Sequence, residues 1–255
     1  MDATADPEVF CLVIGRSKRH HCFMFHLSPR HDDVELIYPL WVIRRGGRVT
    51  LVDTGFAAPV AAARGIVAYH DPDGLLAALD IVPDAVETIV VSHLHYDHFG
   101  LPERFGRARF VIQDADIAYF TGAGAAFPAA ALTDRESLAA LDRLIRAGRV
   151  QRVSGDAAVD GLRLLHVGGH TPGSQLTLVP AAGAPILLAC DASHFYANCE
   201  TATPTAIIHS YDAYQGGFAR IRAHGGRWFP GHDPQMLERL ERVTENVYRV
   251  PATER

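Results

Sequence analysis

The sequence predicts an α/β fold in which helices cover the outer faces of mixed β-sheets. The chain has 255 residues, of which 48% are apolar and 21% are charged. It can therefore bury a sizeable core, and we assign residues 1–255 to a single domain. The first third alternates apolar and polar residues as antiparallel strands do. The remainder alternates strand-like and helix-like segments, which is typical of mixed sheets with helices outside them.

Each element is predicted from its own pattern. In the first third, apolar–polar alternation marks strands at residues 10–15, 34–45 and 48–53. Gly46 and Gly47 supply a two-residue turn, so the last two strands form a β-hairpin. Further strands are predicted at residues 88–92, 108–112, 162–167, 175–179, 185–190 and 227–229. Helices are predicted at residues 75–79, 136–147, 211–223 and 234–243.

Composition argues against several classes of function. The formal charge is −5 and no window gathers five or six basic side chains, so a nucleic-acid partner is not expected. No apolar run approaches the roughly 20 residues that cross a bilayer, and residues 1–10 lack the apolar stretch of a secretory signal. We therefore expect a cytoplasmic protein with no membrane partner. The four cysteines stand singly, which favours reduced thiols over disulfides or a thiolate zinc site.

The sharpest motif follows the apolar strand at residues 88–92. It places His93, His95, Asp97 and His98 within six positions. Side chains two apart in an extended segment project to the same side, so His93 and His95 can hold one metal ion together. Asp97 and His98, at the turn that follows, can then face a second ion. Imidazole and carboxylate donors suit zinc or a related first-row metal.

Four residues cannot complete two metal sites, and the chain offers three further donors at strand ends. His170 lies in a glycine-rich loop directly after a strand, and Asp191 follows the strand at 185–190. His232 lies between a strand and a helix that Pro234 can begin at its first turn. Together, these three residues supply the further metal ligands that the first motif lacks.

These motifs, together with the Leu-Val-Asp-Thr-Gly segment that contains Asp53, resemble the five ordered motifs of the metallo-β-lactamase superfamily. The resemblance implies an αββα sandwich, with two mixed β-sheets flanked by helices and a two-metal site along one edge. It also implies a ligand set: His93, His95 and His170 on the first metal, Asp97, His98 and His232 on the second, and Asp191 bridging them. Asp53 would then hold the metal loop in place from outside the ligand shell.

Within that superfamily, the chain most resembles the N-acyl homoserine lactonase family. The resemblance rests on the Ser-His-Leu-His-Tyr-Asp-His run, on Asp191-Ala192-Ser193 and on the Pro-Gly-His-Asp-Pro turn. Two positions depart from that family. Cys190 stands where members usually carry glycine, and His194 stands where the lactonases have a tyrosine that supports the substrate carbonyl. Tyr196 follows two residues later, so either His194 or Tyr196 is expected to assist the carbonyl.

The resemblance implies hydrolysis of a small-molecule lactone. Two divalent cations, with Zn²⁺ first and Mn, Fe or Co as alternatives, would lower the pKa of a shared water so that hydroxide attacks the carbonyl. We expect Asp97 to carry the proton to the leaving oxygen. The expected function is therefore a quorum-quenching N-acyl homoserine lactonase, and whether it forms a homodimer is left open.

Other functions remain open at this point. A glyoxalase II-like thioesterase would use the same ligands, although no basic C-terminal helical extension is evident. A mononuclear iron persulfide dioxygenase would need only one site, and a protein that merely binds metal is the third alternative. Several residues are candidates for an apolar approach to the metals: Phe23, Met24, Phe25, Trp41 and residues 119–127. The Ala/Gly-rich stretch at 122–131 is a candidate lid.

Overall fold

The computed structural model describes residues 5–127, 130 and 132–252. Its strands are β1 Glu8–His20, β2 Asp33–Arg45, β3 Arg48–Val52, β4 Val86–Val90, β5 Arg109–Gln113, β6 Val150–Val153, β7 Ala157–Val159, β8 Leu162–His166, β9 Gln175–Val179, β10 Ile186–Cys190, β11 Arg227–Pro230, β12 Glu241–Arg242 and β13 Val247–Arg249. Its α-helices are α1 His21–Met24, α2 Ala58–Ala63, α3 Pro72–Ala77, α4 Asp114–Thr121, α5 Arg135–Arg146, α6 Tyr196–Thr201 and α7 Tyr211–His224. Short 3₁₀ helices span Pro83–Ala85, Pro102–Arg104, Ala123–Ala126 and Pro234–Arg239.

The strands form two mixed sheets, as the sequence predicts. The larger sheet has the order β12-β13-β1-β2-β3-β4-β5-β6, and the smaller has the order β11-β10-β9-β8-β7. From β12 to β3 the neighbouring strands are antiparallel, whereas β3 to β6 are parallel. In the smaller sheet only β10 and β11 are parallel. Helices lie in the crossovers between parallel strands, because such strands cannot be joined by a tight turn.

Three apolar layers hold the sandwich together. Strand β1 contributes to two of these layers. Cys11 and Val13 belong to the cluster between the two sheets, whereas Leu12 and Ile14 belong to the cluster under α3 and α5. Alternate side chains of a strand point to opposite faces, so a strand buried on both faces must be apolar throughout. On the far side, Phe218 of α7 packs against the smaller sheet. This sequence of layers is the αββα sandwich that the resemblance implies.

Local predictions were mostly confirmed, with differences at element boundaries. Gly46 and Gly47 both have positive φ, 56° and 84°, as the turn between β2 and β3 requires. Helix α5 begins after Asp134, whose carboxylate accepts from the backbone N–H of Glu136. The prediction of a helix at 234–243 was wrong. A 3₁₀ helix ends at Arg239 and strand β12 follows, because the chain there pairs with β13.

Two predictions reach residues that the structure does not describe. The candidate lid at 122–131 includes residues 128, 129 and 131, which lie outside the described residues. The predicted domain limits of 1 and 255 lie outside them as well. None of the helices among the described residues is long and apolar enough to cross a membrane.

Candidate metal centre

The structure brings all seven candidate donors to one edge of the sandwich. They lie in the loops that follow four strands: the first motif after β4, His170 after β8, Asp191 after β10 and His232 after β11. The loops at the ends of these strands are where open α/β folds place ligand sites. Six of the donors form two sets, which we call the first donor group, His93, His95 and His170, and the second donor group, Asp97, His98 and His232. The seventh, Asp191, lies within reach of both.

The first donor group has the spacing of a tetrahedral metal site. The Nδ1 atom of His95 is 3.0 Å from Nε2 of His93 and 2.9 Å from Nε2 of His170. Oδ2 of Asp191 is 3.2 Å from Nε2 of His170 and 3.7 Å from Nε2 of His93. Ligands about 2.0–2.1 Å from a tetrahedral Zn²⁺ lie roughly 3.4 Å from one another. These four atoms therefore fit around one cation.

The second donor group faces the other oxygen of the same carboxylate. Oδ1 of Asp191 is 3.0 Å from Nε2 of His232 and 3.3 Å from Nε2 of His98. Oδ2 of Asp97 is 3.6 Å from both of those nitrogens. Asp191 thus divides its two oxygens between the groups, which is the arrangement that a bridging ligand requires.

Buried atoms without partners support a cation at this place. Within the part of the chain that the structure describes, Nε2 of His98 and Oδ1 of Asp191 make no hydrogen bond, although both are buried. A buried polar atom without a partner costs free energy, and a cation between these two atoms would satisfy both. The donor set therefore fits divalent metal ions.

Hydrogen bonds to the ring nitrogens that face away from the donor groups orient the imidazoles of His98 and His232. Nδ1 of His98 is 2.7 Å from Oδ2 of Asp53, which also accepts from the Ser92 hydroxyl at 2.9 Å. Nδ1 of His232 lies 2.8 Å from the Ile37 carbonyl oxygen. Because Nδ1 is occupied in each case, Nε2 is left to face the donor group. Asp53 therefore occupies the supporting position that the resemblance implies.

Three residues around Asp191 fix its backbone and its surroundings: Tyr214 of α7, Gly169 of the loop after β8 and Cys190 at the end of β10. The Tyr214 hydroxyl donates to the Asp191 carbonyl oxygen at 2.8 Å. Gly169, with φ of +90°, packs so closely that a Cβ there would lie 2.7 Å from the Tyr214 Cα. Cys190 has its thiol buried in the core between the sheets, 3.9 Å from Oδ2 of Asp53. The cysteine that replaces the family's glycine is thus accommodated, at a φ of 44°.

Charge is distributed unevenly over the two groups. Burial lowers the pKa of His93 and His95 well below its usual value, and neighbouring imidazoles add to this. Burial also opposes charge on His98, but the carboxylates of Asp97, Asp191 and Asp53 outweigh it and raise the pKa of His98. His93 and His95 are therefore held as neutral imidazoles, the form that binds cations.

Sequence reasoning missed Asp116, which links the two loops that carry the first donor group. Its Oδ2 accepts from the Leu94 N–H at 3.0 Å and its Oδ1 accepts from the Gly173 N–H at 2.6 Å. Burial raises the pKa of Asp116 to about 6. Its partners are backbone groups far apart in the chain, so no motif marks it. Its place in the first turn of α4, just beyond the apolar strand β5, is the available signal.

Tyr196 is not at the centre, which corrects one of the two candidates for assisting the carbonyl. Its hydroxyl donates to the Trp228 carbonyl oxygen at 3.1 Å, and the Arg239 guanidinium lies 4.1 Å from its ring centroid. As the first residue of α6 it points into the core between the sheets. His194, in contrast, is buried beside the Asp191 carboxylate, with Nε2 3.1 Å from Oδ2.

The centre opens into a small inner pocket and a larger apolar cleft. The inner pocket, of about 120 Å³, is lined by His194, Asp97 and members of both donor groups. The cleft, of about 630 Å³, shares Phe23, Leu132 and Ile207 with it. Among the predicted approach residues, Phe23, Met24, Tyr119 and Phe127 line these spaces. Trp41 does not, because it is buried between the sheets, and Phe25 packs on Phe195.

A two-sheet sandwich with a histidine- and aspartate-rich centre at one edge defines a class of metal-binding α/β proteins. Residues 36–228 match the family model of the metallo-beta-lactamase superfamily. The chain therefore belongs to this superfamily, which confirms the resemblance seen in its motifs.

Relatives and solved structures agree with this assignment. An N-acyl homoserine lactonase AiiB from Rhizobium rhizogenes (strain K84 / ATCC BAA-868) is 29% identical over 184 residues, 68% of this chain and 66% of the relative, just under two thirds of its length. An N-acyl homoserine lactonase AttM from Rhizobium radiobacter is 27% identical over 234 residues, 84% of this chain and 88% of that one. A solved N-acyl homoserine lactone hydrolase with bound N-hexanoyl-L-homoserine superposes with a TM-score of 0.80 at 20% identity, covering 96% of this chain and 100% of that one. At that identity the likeness establishes the fold.

Proposed function

We propose that this protein is a metal-dependent hydrolase that opens lactone rings and that it holds two divalent cations at the centre described above. The observation that carries the proposal is Asp191, whose two carboxylate oxygens face two separate groups of buried donors. Relatives named as N-acyl homoserine lactonases support the choice of substrate. N-acyl homoserine lactones are therefore the first substrates to test.

The residues around the centre account for the steps of ring opening. Two divalent cations, with Zn²⁺ as the first candidate, would supply an activated water and a Lewis acid for the carbonyl. Asp97 lines the inner pocket and turns Oδ2 towards His98 and His232, the other two members of the second donor group. From there its carboxylate takes a proton from the attacking water and returns it to the ring oxygen as the C–O bond breaks. The product is a hydroxy acid.

His194 is the residue we assign to the carbonyl oxygen. It lines the inner pocket, and its Nε2 lies beside the oxygen of Asp191 that faces the first donor group. An imidazole carries an N–H in either charge state, so it can donate to an oxygen on which negative charge develops. Tyr196 is too deep in the core for this role.

The apolar cleft suits a hydrophobic substituent on the lactone. It continues from the inner pocket past Phe23 and Ile207 and is lined mainly by apolar side chains such as Tyr119 and Phe127. Burying apolar surface is worth about 25 cal/mol per Å², so an acyl chain in this cleft would tighten binding. We expect long acyl chains to lower KM more than they change kcat.

A lactone panel tests the function directly. Zinc-loaded protein is mixed in weakly buffered solution with γ-butyrolactone and with N-acyl homoserine lactones of increasing chain length, and acid release is followed. We expect acidification, and about a 10²-fold lower kcat for His194→Ala, with Tyr196→Phe as the matched control. Loaded protein that opens no lactone, yet cleaves a thioester, would contradict the proposal and favour the thioesterase alternative.

A further inference from the structure

Two arginines in the inner pocket have no acidic partner. Arg19 and Arg64 line this pocket together with residues of both donor groups. Among the described residues, no carboxylate oxygen lies within ion-pair distance of either guanidinium. Arginines elsewhere on the surface do find partners, such as Arg104 with Asp71 at 3.0 Å. The pocket therefore contains two guanidinium groups that form no ion pair with any described residue.

Uncharged groups hold both guanidinium groups in place. Arg19 donates through Nη2 to the Arg64 carbonyl oxygen at 2.9 Å and through Nη1 to the Lys18 carbonyl oxygen at 2.8 Å. The Arg64 guanidinium stacks on Tyr96, with its Cζ 3.7 Å from the ring centroid. Both side chains are half-buried. Arg64 makes no side-chain hydrogen bond to any described residue, so its five N–H donors are free for a ligand.

The two aspartates of the pocket, Asp97 and Asp191, do not form ion pairs with these arginines. Asp97 and Asp191 direct their oxygens at the histidines of the two donor groups, at 3.0–3.7 Å. A planar guanidinium matches a carboxylate in shape and charge, and two fixed guanidinium groups make a strong site for one. A partly buried cation without a partner is costly, and a bound carboxylate would remove that cost.

We propose that Arg19 and Arg64 bind a carboxylate on the substrate, so that the protein prefers lactones that carry a carboxylate in addition to the ring ester. The inference rests on the proposed lactonase function and narrows its substrate class. Uncharged lactones, including N-acyl homoserine lactones, would enter the same pocket without this interaction and would be the weaker substrates.

The test compares a charged lactone with its neutral counterpart. The probes are γ-butyrolactone bearing a carboxylate on its γ-carbon and the corresponding carboxamide, and the readout is the ratio of their kcat/KM values on zinc-loaded protein. We expect wild type to favour the carboxylate by about tenfold or more. The double variant Arg19→Gln/Arg64→Gln should lose that preference, whereas Lys18→Gln, the neighbouring exposed cation on β1, should keep it.

A binding measurement separates this inference from the proposed function. Zinc-loaded protein is titrated calorimetrically with glutarate and with its monoamide, which need no turnover. Glutarate should bind about tenfold or more tightly, and the double variant should remove the difference. If lactones are opened without charge preference and the two ligands bind equally, the carboxylate site is refuted while the lactonase stands. If no lactone is opened but the arginine-dependent preference for glutarate is found, the site stands and the lactonase function falls.

Discussion

The connection between the β4 and β8 loops can be tested by replacing Asp116 with asparagine. The carboxylate holds the two loops through different oxygens, one accepting from Leu94 and the other from Gly173. An asparagine has the same shape but only one acceptor oxygen, and its NH₂ group would face a backbone N–H. The substitution therefore breaks one of the two links while leaving helix α4 intact.

Two opposing effects make the expected change in the free energy of unfolding of Asp116→Asn small. Leaving one buried N–H without an acceptor costs about 1–3 kcal/mol. Against this, raising the pKa of Asp116 from 3.8 to about 6 means that its ionised form is destabilised by about 3 kcal/mol at neutral pH, and asparagine carries no such charge. The two terms largely cancel in the free energy of unfolding. Metal affinity has no compensating term, so we expect it to fall by about 10–100-fold.

The assay is a competitive chelator titration of wild type and Asp116→Asn, with Asp114→Asn on the exposed side of the same helix as the control. Unfolding of the chelated proteins in urea gives the second readout. The folded state of wild type binds the Asp116 proton more tightly than the unfolded state, so wild type should lose stability relative to the variant as pH rises from about 4 to about 6. Unchanged metal affinity in a folded variant, or an equal loss in Asp114→Asn, would refute the reasoning.

Three further substitutions probe other parts of the centre. Asp53→Asn removes the carboxylate that orients His98, and chelator titration should show about 10–100-fold weaker metal binding. Tyr196→Phe removes a hydroxyl that bonds to a backbone carbonyl in the core; turnover should stay within about twofold, while thermal unfolding should reveal a loss of about 1 kcal/mol. Gly231→Ala would place a Cβ 2.6 Å from Oδ1 of Asp191, and metal analysis after loading should find fewer ions per chain.

Each of these predictions has a result that contradicts it. Wild-type metal affinity in Asp53→Asn would show that the hydrogen bond to His98 does not matter. A large loss of turnover in Tyr196→Phe at unchanged thermal stability would return that tyrosine to the active site. Gly74→Ala, where a Cβ meets nothing within 4 Å, is the control for Gly231→Ala; two ions in both variants would disprove the steric argument.

The candidate donors could be chosen from the sequence because short-range spacing and position carry the information. His93 and His95 are two apart in an extended segment, and the remaining donors directly follow strands whose apolar runs are easily recognised. Strand ends that lie together along one edge of a sandwich bring such residues into contact. Spacing alone could not have shown that Asp191 turns one oxygen towards each group.

Residues that depend on rotation or on distant backbone groups could not be predicted. Tyr196 lies only two positions beyond His194, but it begins a helix, and the change from extended to helical backbone turns its side chain into the core. Asp116 acts through the N–H groups of Leu94 and Gly173, which any residue type would offer. In the same way, pairing of β12 with β13 overrides the helical pattern at 234–243.

Anomalous diffraction at the zinc edge from crystals of the zinc-loaded protein tests the central claim most directly. We predict two anomalous peaks per chain, roughly 3.5–4 Å apart, one among the three members of the first donor group and one among the three members of the second. The carboxylate of Asp191 should lie between them. A single peak, or peaks away from these seven side chains, would contradict the account.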